Sequence, residues 1–308
     1  MFGMHWSIWR TLRAIAVLIL VTSAVMSSST STRADAVANV ASRSTSTDVD
    51  AATYWNNIAV ENLGVPGRRP GPIAFLDLAI VQAAVHDAVQ AIDRRYEPYQ
   101  LMLLRGASGS REAAAAKAAH DVLVNILPTQ AITLEMTFDK YLTDHNLAED
   151  DPGVSIGALA AASILTLRAN DGRIPNPPPP PFIGGTDPGE WRPTPSDPLL
   201  GPPPPFAPMA TPWLGAVPPF TLRSGDQFRA DPPPPLSSKQ YAKDYNEVKD
   251  LGARSNSKRT PKQDQLAYFY AGNNFILWNR VLRDVAAEHT DNIGDNARLL
   301  ALGTLAIA

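Results

Sequence analysis

Asp77-Leu-Ala-Ile-Val-Gln-Ala-Ala-Val-His-Asp-Ala-Val-Gln-Ala-Ile92, wound as a helix, is apolar nearly all round, with its polar groups drawn into a narrow seam. A helix that is apolar nearly all round must be covered on every side, so this stretch, begun at Ile73, predicts the centre of a helical layer. Before it, Tyr54, Trp55, Ile58 and Leu63 mark an amphipathic helix closed by Gly64 and a turn running to Pro72. After it, Arg111 to Leu127 is Ala-rich, which suits close approach of helices. Two more helices follow, Gln130 to His145 and Pro152 to Asn170, the latter with Asp151 as N-cap and Pro152 at its first position. Five helices on short connections, with no convincing alternating strand, predict an all-α fold that opens with a helical bundle.

The middle of the chain changes character. Between Asp171 and Leu236 lie 22 of the 29 prolines, and proline neither continues a helix nor donates to a sheet. Such a stretch reads either as a polyproline-type linker or as an extended segment wrapped on the bundle. Phe182, Trp191, Phe206, Trp213, Phe220 and Phe228 favour the wrap, because each ring can bury a large apolar area. Helices then resume. Ser237 or Ser238 opens one that runs to Gly252, and Thr260-Pro-Lys-Gln263 is a capping box for the next. Phe275, Trp278, Leu282 and Val285 mark a third, and a last one starts at Ala297. That last run stays apolar to Ala308 with no Gly or Asn cap. The expectation is therefore a truncated chain whose final helix has an uncovered face, open to self-association or to a missing C-terminal half.

The organisation expected is a signal segment at 1–36, a flexible leader at 37–50, a first bundle at 51–172, a proline-rich wrap at 173–236 and the opening helices of a second bundle at 237–308. Arg10 and Arg13, the apolar stretch Ala14 to Met26 and Ala34-Asp35-Ala36 have the layout of a cleavable export signal. Its apolar core is short of the roughly 20 residues that span a bilayer, so an exported protein, periplasmic or secreted, without a stable membrane span is expected. The two arginines are not adjacent, which fits the general secretory route better than twin-arginine export. With 27 basic and 30 acidic residues and a net charge of -3, no nucleic-acid surface is indicated. The absence of cysteine excludes disulfides, thiolate metal sites and cysteine nucleophiles.

Motifs for common chemistries are missing. Gly106-Ala-Ser-Gly-Ser110 lacks the Lys-Ser/Thr of a phosphate loop, and neither Gly-x-Ser-x-Gly nor His-Glu-x-x-His occurs. His145 and Glu149 are four apart but read as a helix end and turn, and two ligands are too few for zinc. On the central helix Gln82, His86, Gln90 and Asp93 share one side. His86 could carry protons in a site there, but a hydrogen-bonded seam that fixes helix register explains the same pattern more simply. His120 shares a face with apolar residues, His289 suits a helix C-terminus, and Arg192 suits stacking on Trp191 more than binding an anion.

Several segments taken together resemble one family. They are Trp55-Asn-x-Ile58, Asp77 to Ile92 with Tyr96-Glu-Pro-Tyr99, Trp191-Arg-Pro-Thr-Pro195, Pro219-Phe220 and Gln227-Phe-Arg229. The Pro232 cluster, Tyr241 to Gly252, Arg259-Thr260 and Trp278-Asn279 continue the series. In their order and spacing they look like the exported bacterial branch of the vanadium-dependent haloperoxidase and type 2 phosphatidic acid phosphatase superfamily, over roughly Ala51 to Ala308. The resemblance implies an all-α fold of two helical bundles. It also implies a site where a Lys, two Arg, a Ser-Gly-His segment and a further His hold vanadate or phosphate, for halide oxidation by peroxide or for phosphoester hydrolysis. Those motifs do not occur here. Ser108-Gly109 is followed by Ser110, Ser224-Gly225 by Asp226, and Arg69-Pro70 and Arg192-Pro193 lack a Lys seven residues upstream. No catalytic, cofactor-binding or metal-binding residue is therefore assigned, and vanadate is expected only in a full-length haloperoxidase. The expectation is an N-terminal portion that is inactive alone. The alternative is a non-enzymatic exported helical protein that engages partners through its proline-rich segment.

Overall fold

The computed structural model describes residues 49–65, 69–103, 106–195, 206–207, 209–253 and 255–308, so the expected signal segment at 1–36 lies outside the described residues. The first helix, α1, is Ala51–Leu63, and the Asp50 carboxylate accepts from the amides of Ala52 and Thr53 to cap it. The central helix α2 spans Gly71–Asp93, then come α3 (Arg111–Ile126), α4 (Ala131–Asp144) and α5 (Pro152–Leu167). Asp151 caps α5 with Pro152 at its first position, as the sequence predicts. Further on lie α6 (Lys239–Gly252), α7 (Pro261–Tyr270), α8 (Asn274–His289) and α9 (Ile293–Ile307). One antiparallel ladder, β1 (Thr194–Pro195) with β2 (Phe206–Ala207), is two residues long and leaves the fold all-α.

Helix α2 takes the place its composition demands. It is buried almost from end to end and packs against α1, α3, α5 and α9. Its length and apolarity would suffice to cross a membrane, but 89% of that window is covered by the protein itself. Helices α3 and α5 approach closely because small residues face each other. A Cβ on Gly153 would lie 2.2 Å from the Ser110 carbonyl oxygen, and one on Gly157 would lie 2.4 Å from that of Ala114. Residues Asp50–Ala308 gather into one compact unit.

One expectation needs correction, and it concerns α9. One face of that helix packs on α2 and α1 and buries Ile293, Ala297, Leu300, Ala301 and Leu305, while Leu302 and Ile307 stay exposed. The helix begins at Ile293 rather than Ala297, because the Asn292 side chain accepts from the Asp295 amide and caps it there. That earlier start carries Ile293 into the buried stripe.

The proline-rich segment wraps the bundle only in part. Phe220 is buried, and Leu214 and Val217 pack against the core with it, while Trp213 donates Nε1–H to the Arg173 carbonyl at 3.2 Å. Phe182 and Phe228 are exposed, and Trp191 finds its partner in Phe182, with ring centroids 5.5 Å apart. The side chain of Phe206 lies outside the described residues. Helices α6 and α7 are well capped, by Ser238 and by the Thr260–Gln263 capping box, yet bury no residue. Their caps are local and satisfy backbone amides whether or not anything covers the helix.

Candidate functional site

The polar groups of α2 face two neighbouring segments. On one side His86 Nε2 lies 3.0 Å from the Glu97 carbonyl oxygen, and Gln90 Oε1 accepts from the amides of Arg95 and Tyr96. The carboxylate of Asp87 accepts three more amides, from Tyr99 at 2.5 Å and from Gln100 and Leu101 at 2.8 Å. Burial raises the Asp87 pKa above its ordinary value, and these three donors oppose the shift. Burial lowers that of His86, which leaves the ring poorly suited to carry a proton at neutral pH. The seam therefore holds the 95–101 segment against the helix. His86 and Gln90 belong to it as the sequence predicts, while Gln82 is fully buried apart from it. Asp93 turns instead to Arg111, whose Nη1 is 3.0 Å away. Sequence reasoning missed Asp87. The signal available was a carboxylate on a helix too apolar to leave it solvated, followed by a Glu-Pro-Tyr turn with free amides.

On the other side lies a buried ionic cluster. Asp77, fully buried, meets Arg173 Nε at 2.9 Å and Arg69 Nε at 2.9 Å, the second contact out of line for a hydrogen bond. Asp171 is shared between Arg168 Nε at 2.9 Å and Arg173 Nη1 at 3.1 Å. Burial raises the Asp77 pKa above its ordinary value, while Arg69 and Arg173 pull it down. Arg168 also donates to the Pro218 carbonyl at 2.9 Å and stacks on Phe220, 4.0 Å from the ring centroid. An open cleft of ≈ 330 Å³ runs beside it, lined by Tyr99, Thr166, Arg168, Asn170, Pro218 and Pro219. The cluster fastens the start and the return of the proline-rich segment to α2. None of its three arginines was singled out as a cluster member by the sequence, because their partners lie far away; Arg173 and Asp77 are 96 residues apart.

The other candidates serve structure. His120 sits between Trp55 and Phe138, with Asp121 Oδ1 2.8 Å from Nδ1 and Glu135 Oε2 2.9 Å from Nε2. The pairing of His145 with Glu149 does not form. His145 Nδ1 lies 2.8 Å from the Tyr141 carbonyl oxygen and its ring stacks on Tyr141, while Glu149 is exposed. His289 lies in the last turn of α8, where a histidine complements the helix dipole. Arg192 does not stack on Trp191. Its Nη2 donates to the carbonyls of Thr186 and Asp187 and braces that turn.

The architecture is that of the haloperoxidase-like all-α proteins. Compared with solved structures, the chain is similar to a protein described as the first bacterial vanadium-dependent iodoperoxidase, with a TM-score of 0.64, 17% sequence identity, and coverage of 84% of this chain and 67% of that one. At that identity the likeness establishes the fold. Neither a family model nor a curated protein matches the sequence.

The arginines of this ionic cluster are not free to hold a tetrahedral oxyanion such as vanadate or phosphate. A tetrahedral oxyanion needs several cationic donors free to converge on it. Arg69, Arg168 and Arg173 are instead committed to Asp77, Asp171 and the carbonyls of Ile126, Pro218 and Arg168. Among the described residues, no group of three His, Asp or Glu stands close enough to hold a metal ion.

Proposed function

We propose that this chain is the exported N-terminal portion of a vanadium haloperoxidase or acid phosphatase-like protein, and supplies scaffold rather than chemistry. The observation that carries the reading is the likeness to the iodoperoxidase fold over 84% of the chain. The whole protein would oxidise halide with peroxide or hydrolyse a phosphoester, two reactions that share one oxyanion site. In this reading the chain contributes the central helix, the seam that holds segment 95–101, and the ionic cluster that fastens the proline-rich segment. Export rests on the signal-like segment at 1–36, and the boundaries at 172 and 236 follow the proline content.

The test is enzymatic. The purified 308-residue chain, given vanadate, peroxide and iodide or bromide, should form no oxidised halogen above background, and it should not hydrolyse a phosphomonoester. Turnover in either assay that survives repurification would overturn the scaffold reading. Because the chain spans 67% of the iodoperoxidase chain, coding sequence continuing this frame is the second check. It should contain Arg-Pro, Ser-Gly-His and a late His, and a continuation without them would refute the assignment.

A further inference from the structure

The run Pro177-Pro-Pro-Pro-Pro181 has its backbone conformation written into its covalent structure. Each ring fixes φ near -65°. Every residue that precedes a proline is also driven out of the α region towards extended ψ, so Pro177 to Pro180 are confined to polyproline II. In the fold four of the five prolines are exposed, and only Pro179 is half-buried.

The run is also held at a fixed place. Four residues before it, Arg173 is tied to Asp77 and Asp171 and its carbonyl accepts from Trp213. Directly after it, Phe182 packs at a tilt against Trp191, and the Gly185 amide donates to the Trp191 carbonyl at 3.0 Å, closing a turn. Gly184 makes that turn possible: its φ is +73°, and a Cβ there would strike the Trp191 carbonyl. The prolines thus stand between a buried ionic anchor and a turn closed by an aromatic pair. Little ordering entropy would be lost when they bind, which is what makes polyproline II an effective ligand.

From Ile174 to Thr186 the chain carries no charge. A partner that orients its ligand through an acidic pocket, as grooves reading a basic flank do, has nothing to grip here. We propose that Pro177–Pro181 with Phe182 is a docking ligand for a second protein that presents a neutral groove of parallel aromatic rings. The scaffold role proposed above neither requires nor excludes this docking.

The probe is a WW domain, whose groove is of that kind, with an SH3 domain carrying an acidic pocket as the contrast. Each is titrated with the full chain and followed by the fluorescence of its groove tryptophan. Saturable binding to the WW domain is expected, with the SH3 domain about tenfold weaker or silent. The double variant Pro178→Ala/Pro180→Ala should lose about tenfold or more of the WW affinity while its circular dichroism stays unchanged. A synthetic peptide of residues 174–186 controls for access. If the peptide binds and the intact chain does not, the run is covered in the folded protein and the proposal fails. It fails equally if neither binds, if the double variant binds as well as the parent, or if the SH3 domain binds as tightly as the WW domain.

Discussion

The stretch from Asp50 to Arg173 and the stretch from Ile174 to Asn274 are of similar length but are held by different physics. The first buries most of its apolar side chains around α2 and brings α3 and α5 within touching distance through alanine and glycine. The second, among the described residues, buries only Phe220. Its helices α6 and α7 are closed by well-formed caps, and its prolines fix dihedrals, but both are local devices. Ordered local structure and a packed core are thus separable in one chain. Where they part, the join depends on a few long-range contacts, here the Asp77–Arg173–Asp171–Arg168 cluster.

Breaking that join should have the largest effect. Asp77→Ala leaves the guanidinium groups of Arg69 and Arg173 without their shared carboxylate, and removing one partner of a buried pair costs about 3–5 kcal/mol. Urea unfolding should show the loss, and limited proteolysis should cut faster between Trp213 and Phe220 than it does in the parent. An unchanged cutting pattern would mean the segment is fastened elsewhere.

A substitution inside the packed region comes next. Gly157→Ala places a methyl 2.4 Å from the Ala114 carbonyl oxygen and should destabilise by about 1–3 kcal/mol through separation of α3 and α5. The matching change in the other region, Gly215→Ala, meets nothing within 4 Å and should stay within about 0.5 kcal/mol. Comparable shifts in the two midpoints would mean that the two regions are packed alike.

The titration of His86 is a smaller and more specific probe of the seam. Burial holds its folded pKa below the ordinary 6.5, so below that pH the unfolded chain binds a proton that the folded chain refuses. Stability from this group is complete above 6.5 and is lost as pH falls from there towards the folded value. Asp77, Asp87 and Glu112 act in the opposite sense and lower down. Their folded pKa values are raised by burial, so acidification favours the folded state from just above their raised values down to their ordinary carboxylate range. His86→Asn should therefore flatten the fall in melting temperature between pH 7 and roughly pH 5 relative to the parent. An identical slope would show that His86 is already solvated. The smallest effect is expected on α6, where Val248→Ser should move the midpoint by less than about 0.5 kcal/mol, because Val248 is 71% exposed.

The sequence was most legible where one residue type has one physical use. An all-round apolar stretch had to be central, Asp151-Pro152 and Thr260-Pro-Lys-Gln263 had to open helices, and both do. Helix α9 starts ahead of the expected Ala297 because its first turn, Ile293-Gly-Asp-Asn296, is polar apart from Ile293 and carries no apolar periodicity. In the fold Asn292 is the cap, and Gly294 is where the Asp93 carboxylate comes closest. Of the aromatics in the proline-rich segment, Phe220 and Trp213 reach the bundle while Phe182 and Phe228 do not. A ring can be buried, but local sequence does not say which rings reach the bundle; Phe220 does because Arg168 and Tyr99 wait there. The pairing of Asp77 with arginines far along the chain leaves no local trace. The polar side of α2 was half legible: His86 and Gln90 follow from helical periodicity, whereas Asp87 needed the turn it holds.

The hydrogen bond from Trp213 to the Arg173 carbonyl has a use beyond fastening. It brings the two ends of a forty-residue excursion side by side at the surface of the bundle, as in the stem of a hairpin. None of the described residues between those ends is buried, so shortening, lengthening or exchanging that stretch should leave α2 in place. The molecule therefore carries a natural grafting port.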